Sequence, residues 1–143
     1  TYFVEEDGAC EIFESMEYTW KNSLSLMGWG VENDGLSVIF DKVIPEFITN
    51  ELPKVLKKFP LNDFDGYILH SGGMRIIKAY KKIFNDDKTI EESKNVLSKF
   101  GNVSSVSVLL VLMEMIKKKY SGKFLMSALG PGFTAGLSAV KIS

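Results

Sequence analysis

The sequence predicts an α/β fold in which helices cover the faces of a mixed sheet. Two observations lead to this prediction. Short apolar runs of strand length alternate with longer segments in which apolar residues recur at helical spacing. The chain also has 143 residues, of which 45% are apolar, which is enough for a domain with its own hydrophobic core.

The N-terminal quarter of the chain is predicted to be a strand followed by a connection. Residues 9–13 alternate loosely after Asp7-Gly8, which is typical of a short strand. Residues 15–34 show no clear period and are interpreted as a connection that can contain one strand. Asn33-Asp34-Gly35 is a turn signal.

The next elements are predicted to be a helix, a buried strand and a second helix. Residues 44–59 have helical spacing, with Pro45 in the first turn and with Pro53 predicting a kink or a break. The apolar run Tyr67-Ile68-Leu69 is typical of a strand in a parallel sheet. It ends at His70-Ser71-Gly72-Gly73, and helical spacing resumes immediately afterwards.

Two further helices and two strands complete the predicted order. Thr89 and Glu92 form a capping-box pattern for a helix that Gly101 ends. Residues 106–120 are apolar on most faces, which predicts a central, buried helix. Residues 124–129 and 133–142 read as strands, and the short joint between them makes the pair antiparallel.

Composition excludes several classes of protein. The net charge of −1 and the dispersed lysines argue against a nucleic-acid partner. A single cysteine, Cys10, cannot build a disulfide framework or a multi-cysteine metal site, which fits a cytoplasmic location. There is no membrane-length apolar run and no secretory signal. The start at Thr1, without a methionine, suggests a fragment of a longer polypeptide.

His70 and Asn102 are the candidate catalytic residues. His70 follows a predicted parallel strand, at the sheet edge where ligands collect in open α/β folds. Asn102 lies just before the N-terminus of the predicted buried helix, where negative charge is favoured. Both side chains can donate a hydrogen bond, so together they could form an oxyanion hole. On spacing alone, a structural histidine and a turn asparagine remain the commoner interpretation.

Four segments resemble the type III polyketide synthases, the chalcone and stilbene synthase family. His70-Ser71-Gly72-Gly73 resembles the family's His-Pro-Gly-Gly motif, and residues 96–105 resemble the stretch around its catalytic asparagine. Residues 130–134, Gly-Pro-Gly-Phe-Thr, resemble its Gly-Pro-Gly-Leu-Thr loop, and residues 7–10, Asp-Gly-Ala-Cys, its Asp-Gly-Ala-Ala strand. The four segments occur in the family's order and at similar spacing.

The resemblance implies a thiolase-like C-terminal half with a mixed five-stranded sheet covered by helices. Residues 1–35 would be the end of the first half and a connection, and residues 36–143 the C-terminal domain. The family's Cys-His-Asn triad carries over onto His70 and Asn102, and its nucleophilic cysteine is expected in an N-terminal half outside this chain. Cys10 does not match that cysteine and is expected to be a small buried hydrophobe.

The activity implied by the resemblance is that of an acyltransferase. It condenses an acyl-CoA starter with malonyl-CoA by decarboxylative Claisen chemistry, and this chain alone is expected to be inactive. Coenzyme A thioesters are the implied substrates, with no metal and no bound cofactor, and the full-length protein is expected to be a homodimer without a nucleic-acid or membrane partner. The residues expected to contact substrate are Gly72, Gly73, Arg75, Val38, Leu129, Gly130, Pro131 and Phe133.

Some positions depart from the plant pattern, and two other functions stay open. Val38 and Leu129 replace pocket phenylalanines, and Trp29 is expected to fill some of that volume, which leaves the starter and the product open. One alternative is the C-terminal half of a ketoacyl-carrier-protein synthase III-like enzyme, which typically has Gln-Ala-Asn after its histidine. The other is a non-catalytic binding or scaffold module.

Overall fold

The fold, in a computed structural model that describes residues 8–143, consists of six strands and four helices. Thr1 and Asp7, on which two of the sequence interpretations rest, lie outside the described residues. The elements are β1 (Cys10–Thr19), β2 (Met27–Glu32), β3 (Gly35–Phe40), α1 (Ile44–Leu56), β4 (Gly66–Leu69), α2 (Met74–Ile83), α3 (Asp87–Phe100), α4 (Val106–Lys117), β5 (Gly122–Gly130) and β6 (Thr134–Ile142).

The main sheet has the strand order β1-β6-β5-β4 and is mixed, as predicted. β4 pairs in parallel with β5, from Gly66 opposite Phe124 to Leu69 opposite Ser127. β5 and β6 form the predicted antiparallel pair, and β6 also pairs antiparallel with β1. Within residues 8–143 this sheet has four strands rather than the expected five, because β2 and β3 pair only with each other, as a hairpin that turns at residues 33–34.

Helices pack on both faces of the main sheet. Successive residues of a strand point to opposite faces, and two neighbouring residues of β4 show this directly. Leu69 belongs to a buried cluster that includes Ile48 of α1 and Ile77 of α2, whereas Ile68 belongs to a second cluster with Val111 of α4. β4 is therefore buried on both sides, which explains its continuous apolar sequence.

Several element boundaries differ from the sequence prediction. β1 runs to Thr19 instead of ending near residue 13, because its pairing with β6 supplies order that the local pattern does not show. α1 ends at Leu56, three residues after Pro53. α3 begins at Asp87, because the Asp86 carboxylate accepts the backbone N–H groups of Lys88 and Thr89, so the predicted capping box at Thr89 is wrong.

α4 is less buried than its sequence predicts. Val111 and Met115 are fully buried, but Val106, Leu109 and Met113 are each about half exposed. These three residues recur at helical spacing and form an apolar stripe on the outer face of the helix. None of the helices among residues 8–143 is both long enough and apolar enough to cross a membrane.

Candidate active site

His70 follows the last residue of β4, at the carboxyl end of the parallel strand. Its backbone N–H donates to the carbonyl of Ser127 on β5 at 2.9 Å, which continues the sheet ladder by one residue. The Ser93 hydroxyl of α3 donates to the carbonyl of Leu69 at 2.9 Å and fixes the strand end from the other side. The His70 side chain is only 7% exposed, so its position is set by packing rather than by solvent.

Gly72 links His70 to Asn102. Its backbone N–H donates to the His70 carbonyl at 2.9 Å, and its own carbonyl accepts the Asn102 Nδ2 donor at 3.2 Å. The Gly72 backbone also lies close to the imidazole. A Cβ atom added at Gly72 would stand 3.1 Å from Cδ2 and 3.2 Å from Nε2 of His70. The absence of a side chain at Gly72 therefore lets the same backbone lie close to the His70 imidazole and accept the hydrogen bond from Asn102.

Asn102 is held by hydrogen bonds in the turn between α3 and α4. Its Oδ1 atom accepts the backbone N–H of Ser104 at 3.0 Å and lies 3.4 Å from the Ser107 hydroxyl. The Ser107 hydroxyl also accepts the backbone N–H of Val103 at 3.0 Å. An amide nitrogen has two hydrogens, and the bond to Gly72 uses one of them. The second Nδ2 hydrogen is available to a ligand.

The structure brings His70 and Asn102 into one cleft of ≈ 570 Å³. The cleft lies between the β2–β3 hairpin, the start of α4 and the β5–β6 connection. Its lining is Glu17, Met27, Trp29, Val38, His70, Asn102, Ser104, Ser105, Ala128, Leu129, Gly130, Pro131, Thr134 and Gly136. The volume is within the range of about 300–1,000 Å³ that is typical of small-molecule sites.

Burial controls the charge of His70. It lowers the pKa of the imidazole below the ordinary value of 6.5, so the ring is neutral at neutral pH. Nδ1 is buried without a hydrogen-bond partner among the described residues, as are the hydroxyls of Ser71 and Ser127. Nε2 lies near Gly72, and because Nδ1 is buried, Nε2 is the ring nitrogen left to bind a ligand.

The predicted substrate-contacting residues fall into three groups. Val38, Leu129, Gly130 and Pro131 line the cleft together with His70 and Asn102, while Gly72 and Phe133 lie behind it at a small internal void that His70 also lines. Gly73 is the N-cap of α2 with a φ of 144°, which favours glycine. Arg75 is outside this cleft and lines a separate one between α1 and α2.

Ser23 holds the end of the Gly-Pro-Gly connection by hydrogen bonds. The Ser23 hydroxyl accepts the backbone N–H of Phe133 at 2.6 Å and lies within hydrogen-bond distance of the carbonyls of Trp20 and Gly132, at 2.6 and 3.0 Å. The Phe133 ring stacks on Trp20 with centroids 5.7 Å apart. These contacts fix Gly132 and Phe133, the residues that directly follow the cleft-lining pair Gly130 and Pro131.

Sequence reasoning missed several residues of the cleft. Glu17 lies on β1 opposite Gly136 of β6, so its presence depends on a strand pairing that no local pattern predicts. Ser104 and Ser105 follow Asn102 directly and could have been inferred from their position in the same turn. Cys10 is half-buried against the second hydrophobic cluster and is not part of the cleft.

The described residues contain no group of three or more histidine, cysteine or acidic side chains that could hold a metal ion. His70 and Asn102 bring two hydrogen-bond donors to the cleft, a neutral imidazole and an amide. Such donors stabilise negative charge that develops on an oxygen atom placed between them.

Comparison with known families gives a match over most of the chain. A family model described as "Chalcone and stilbene synthases, C-terminal domain" matches residues 14–139. The chain is 30% identical over 139 residues to a Bacillus subtilis (strain 168) protein named as a chalcone synthase, covering 90% of this chain and 38% of the relative. It is also 30% identical over 120 residues to the 1,3,6,8-tetrahydroxynaphthalene synthase of Streptomyces peucetius subsp. caesius, covering 77% of this chain and 32% of the relative.

A solved structure has the same fold. The C-terminal type III polyketide synthase domain of Steely1 from Dictyostelium superposes with a TM-score of 0.82 at 23% identity, covering 94% of this chain and 40% of that chain. The expected thiolase-like α/β class is thereby confirmed. The chain spans between 32% and 40% of the length of these three proteins. The match gives no support to the ketoacyl-carrier-protein synthase alternative.

Proposed function

The chain belongs to the chalcone and stilbene synthase family as its C-terminal domain, and on that premise we propose that it supplies the oxyanion-binding part of a polyketide-forming active site. The reaction is the decarboxylative condensation of malonyl-CoA with an acyl group. The nucleophilic cysteine that carries this acyl group is supplied by an N-terminal half outside this chain.

The reaction needs a place for negative charge. When the malonyl thioester loses carbon dioxide, the electron pair of the broken carbon–carbon bond moves into an enolate whose oxygen becomes negative. His70 Nε2–H and the free Asn102 Nδ2–H donate to this oxygen. The enolate carbon then attacks the acyl-cysteine carbonyl and displaces the thiolate, which the neighbouring His70 helps to stabilise.

One observation carries this proposal. His70 and Asn102, on different elements, line the same cleft, and Gly72 contacts both of them. The two donors are therefore positioned before substrate binds, and preorganised donors contribute more to the rate than mobile ones. Burial keeps His70 neutral, and a neutral imidazole carries a single N–H, which the proposal places on Nε2 because Nδ1 is buried.

The cleft also constrains the substrate. Trp29 and Val38 face one another across the β2–β3 hairpin and both line the cleft with Leu129. Their apolar surfaces suit the acyl chain that grows during repeated condensation. Gly130 and Pro131 border the space in which that chain folds before release, and Ser23 holds the two residues that follow them, Gly132 and Phe133.

The test is a condensation assay on the polypeptide encoded by the complete reading frame that contains this domain. Malonyl-CoA is supplied with a panel of acyl-CoA starters, and products are identified by mass spectrometry. We expect polyketide products from the wild type and none from His70→Ala. A wild-type polypeptide that binds both thioesters but forms no carbon–carbon bond would contradict the proposal and indicate a binding or scaffold module.

A further inference from the structure

A further cleft lies at the C-terminal ends of α1 and α2, next to β4. It has a volume of ≈ 430 Å³, which is within the range typical of small-molecule sites. Its lining includes the last residue of each helix, Leu56 and Ile83, together with part of the connection between α1 and β4, and Leu125 of β5. None of the described residues lines both this cleft and the one that contains His70. The two clefts are therefore separate sites.

Four aromatic rings line this space, the aromatic cleft. They belong to Phe59, Phe64, Tyr67 and Phe84. The rings form two packed pairs, with centroids 6.1 Å apart for Phe59 and Phe64 and 4.2 Å apart for Tyr67 and Phe84. Phe59 and Phe84 are buried members of the first hydrophobic cluster, whereas Phe64 and Tyr67 pack against it and stay partly exposed. The hydrophobic core is therefore open to a ligand here, and an apolar ligand would remove this aromatic surface from water.

Lys57 is the one charged residue among the described residues that line the aromatic cleft. None of the six ion pairs found among residues 8–143 includes it. The other polar groups of the lining are the Asn62 amide and the Tyr67 hydroxyl, and both can donate a hydrogen bond. Burial and the negative charge of Asp86 raise the pKa of the Tyr67 hydroxyl, so it keeps its proton. One cation beside two donors complements a single carboxylate.

We propose that the aromatic cleft binds an apolar monocarboxylic acid, with the hydrocarbon part against the four rings and the carboxylate at Lys57. This inference goes beyond the proposed function, because it concerns a separate site and no reaction. An alcohol of the same length lacks the charge that pairs with Lys57, and a cation of that length is repelled by it. The ligand would contact Tyr67 on β4, the strand that ends beside His70. A ligand that binds only the folded chain also raises its stability.

The binding test uses titration calorimetry on this chain with octanoate, octanol and octyltrimethylammonium, and octanoate should bind most tightly. Lys57→Gln should weaken octanoate binding about threefold to fivefold, the contribution of one exposed ion pair. Leu61→Trp, at a partly buried position of the lining, should weaken it at least about tenfold, because the indole would occupy the space of the octyl chain. The matched controls are Lys58→Gln, next to Lys57 but outside the lining, and His70→Ala in the other cleft, and both should bind octanoate as the wild type does.

Urea denaturation provides a second readout. Octanoate should raise the unfolding midpoint of the wild type and of Lys58→Gln, and should raise that of Lys57→Gln less at the same concentration. The inference is overturned if octanoate does not bind the wild type, or if Lys57→Gln binds octanoate as tightly as Lys58→Gln does. It is also overturned if octyltrimethylammonium binds the wild type as tightly as octanoate. Lys57→Gln changes an exposed side chain, so this comparison stays decisive even if Leu61→Trp fails to fold.

Discussion

Adding one methyl group at Gly72 should displace His70 and reduce catalysis without unfolding the chain. The new Cβ would stand 3.1 Å from Cδ2 and 3.2 Å from Nε2 of the imidazole, whereas carbon atoms pack best at about 3.5–4.0 Å. The ring must therefore recede by about 0.4 Å or more. A displacement of about 1 Å can cost a hundredfold in rate, so a displacement of about half that size should cost about tenfold. We expect Gly72→Ala to lower the rate of malonyl-CoA decarboxylation about tenfold.

The cost in stability should be small by comparison. Gly72 is not among the glycines with positive φ, so alanine can adopt its backbone conformation. Overpacking lowers the free energy of unfolding by about 1–3 kcal/mol. Replacing glycine with alanine raises it by about 0.4–1 kcal/mol, because the unfolded chain has less conformational entropy. Gly28→Ala is the matched control, because the nearest atom to its added Cβ is the Leu24 carbonyl oxygen at 3.9 Å.

The assay pairs decarboxylation kinetics with urea denaturation of both variants. The proposed contact is supported if Gly72→Ala loses rate and Gly28→Ala does not, while the free energy of unfolding of Gly72→Ala stays within about 2 kcal/mol of the wild-type value. If Gly72→Ala retains the wild-type rate, the close approach of Gly72 to the imidazole has no catalytic consequence and the reasoning is refuted.

Three further predictions concern charge, packing and association. His70 is the only histidine of the chain, so its NMR titration can be assigned directly, and its midpoint should lie below pH 6.5. Because the unfolded chain binds the proton more readily than the folded chain, the free energy of unfolding should be greatest above pH 6.5 and should fall as the pH drops below that value. A titration midpoint at or above pH 6.5 would refute this prediction. Ser23→Ala leaves the Phe133 N–H buried without an acceptor and should cost about 1–3 kcal/mol in urea denaturation, so an unchanged midpoint would contradict the anchoring role. The apolar stripe on the outer face of α4 includes Leu109 and Met113, which are 47% and 46% exposed, so the chain should self-associate. Sedimentation should show oligomers for the wild type and a monomer for Leu109→Glu/Met113→Glu. A wild type that stays monomeric at high concentration would contradict this prediction.

Much of the fold could be predicted from local sequence. The apolar run before His70, the helix after Gly73, and the Gly-Pro-Gly joint between β5 and β6 each carry a signal within a few residues. Those signals depend on backbone preferences and on the burial of one short segment. The positions of His70 and Asn102 suggested a shared oxyanion hole, and the resemblance favoured that hypothesis over a structural histidine and a turn asparagine.

The remaining features depend on contacts between distant residues. β1 extends to Thr19 because β6 pairs with it, and Glu17 reaches the cleft only through that pairing. The Asp86 cap was missed because Thr89 offered an equally good local pattern, and Thr89 instead accepts the backbone N–H of Tyr67 at 3.0 Å. The resemblance placed Arg75 among the substrate-contacting residues, whereas in the structure it lines a different cleft, between α1 and α2.

The most direct test of the account is the rate of malonyl-CoA decarboxylation in the polypeptide from the complete reading frame, compared for the wild type, His70→Ala, Asn102→Ala and the surface control Asn85→Ala. Loss of one oxyanion donor typically costs about 10²–10³ in rate. We predict losses of that order for His70→Ala and Asn102→Ala and none for Asn85→Ala. Decarboxylation that remains intact in both His70→Ala and Asn102→Ala would contradict the central claim that these two side chains form the oxyanion hole.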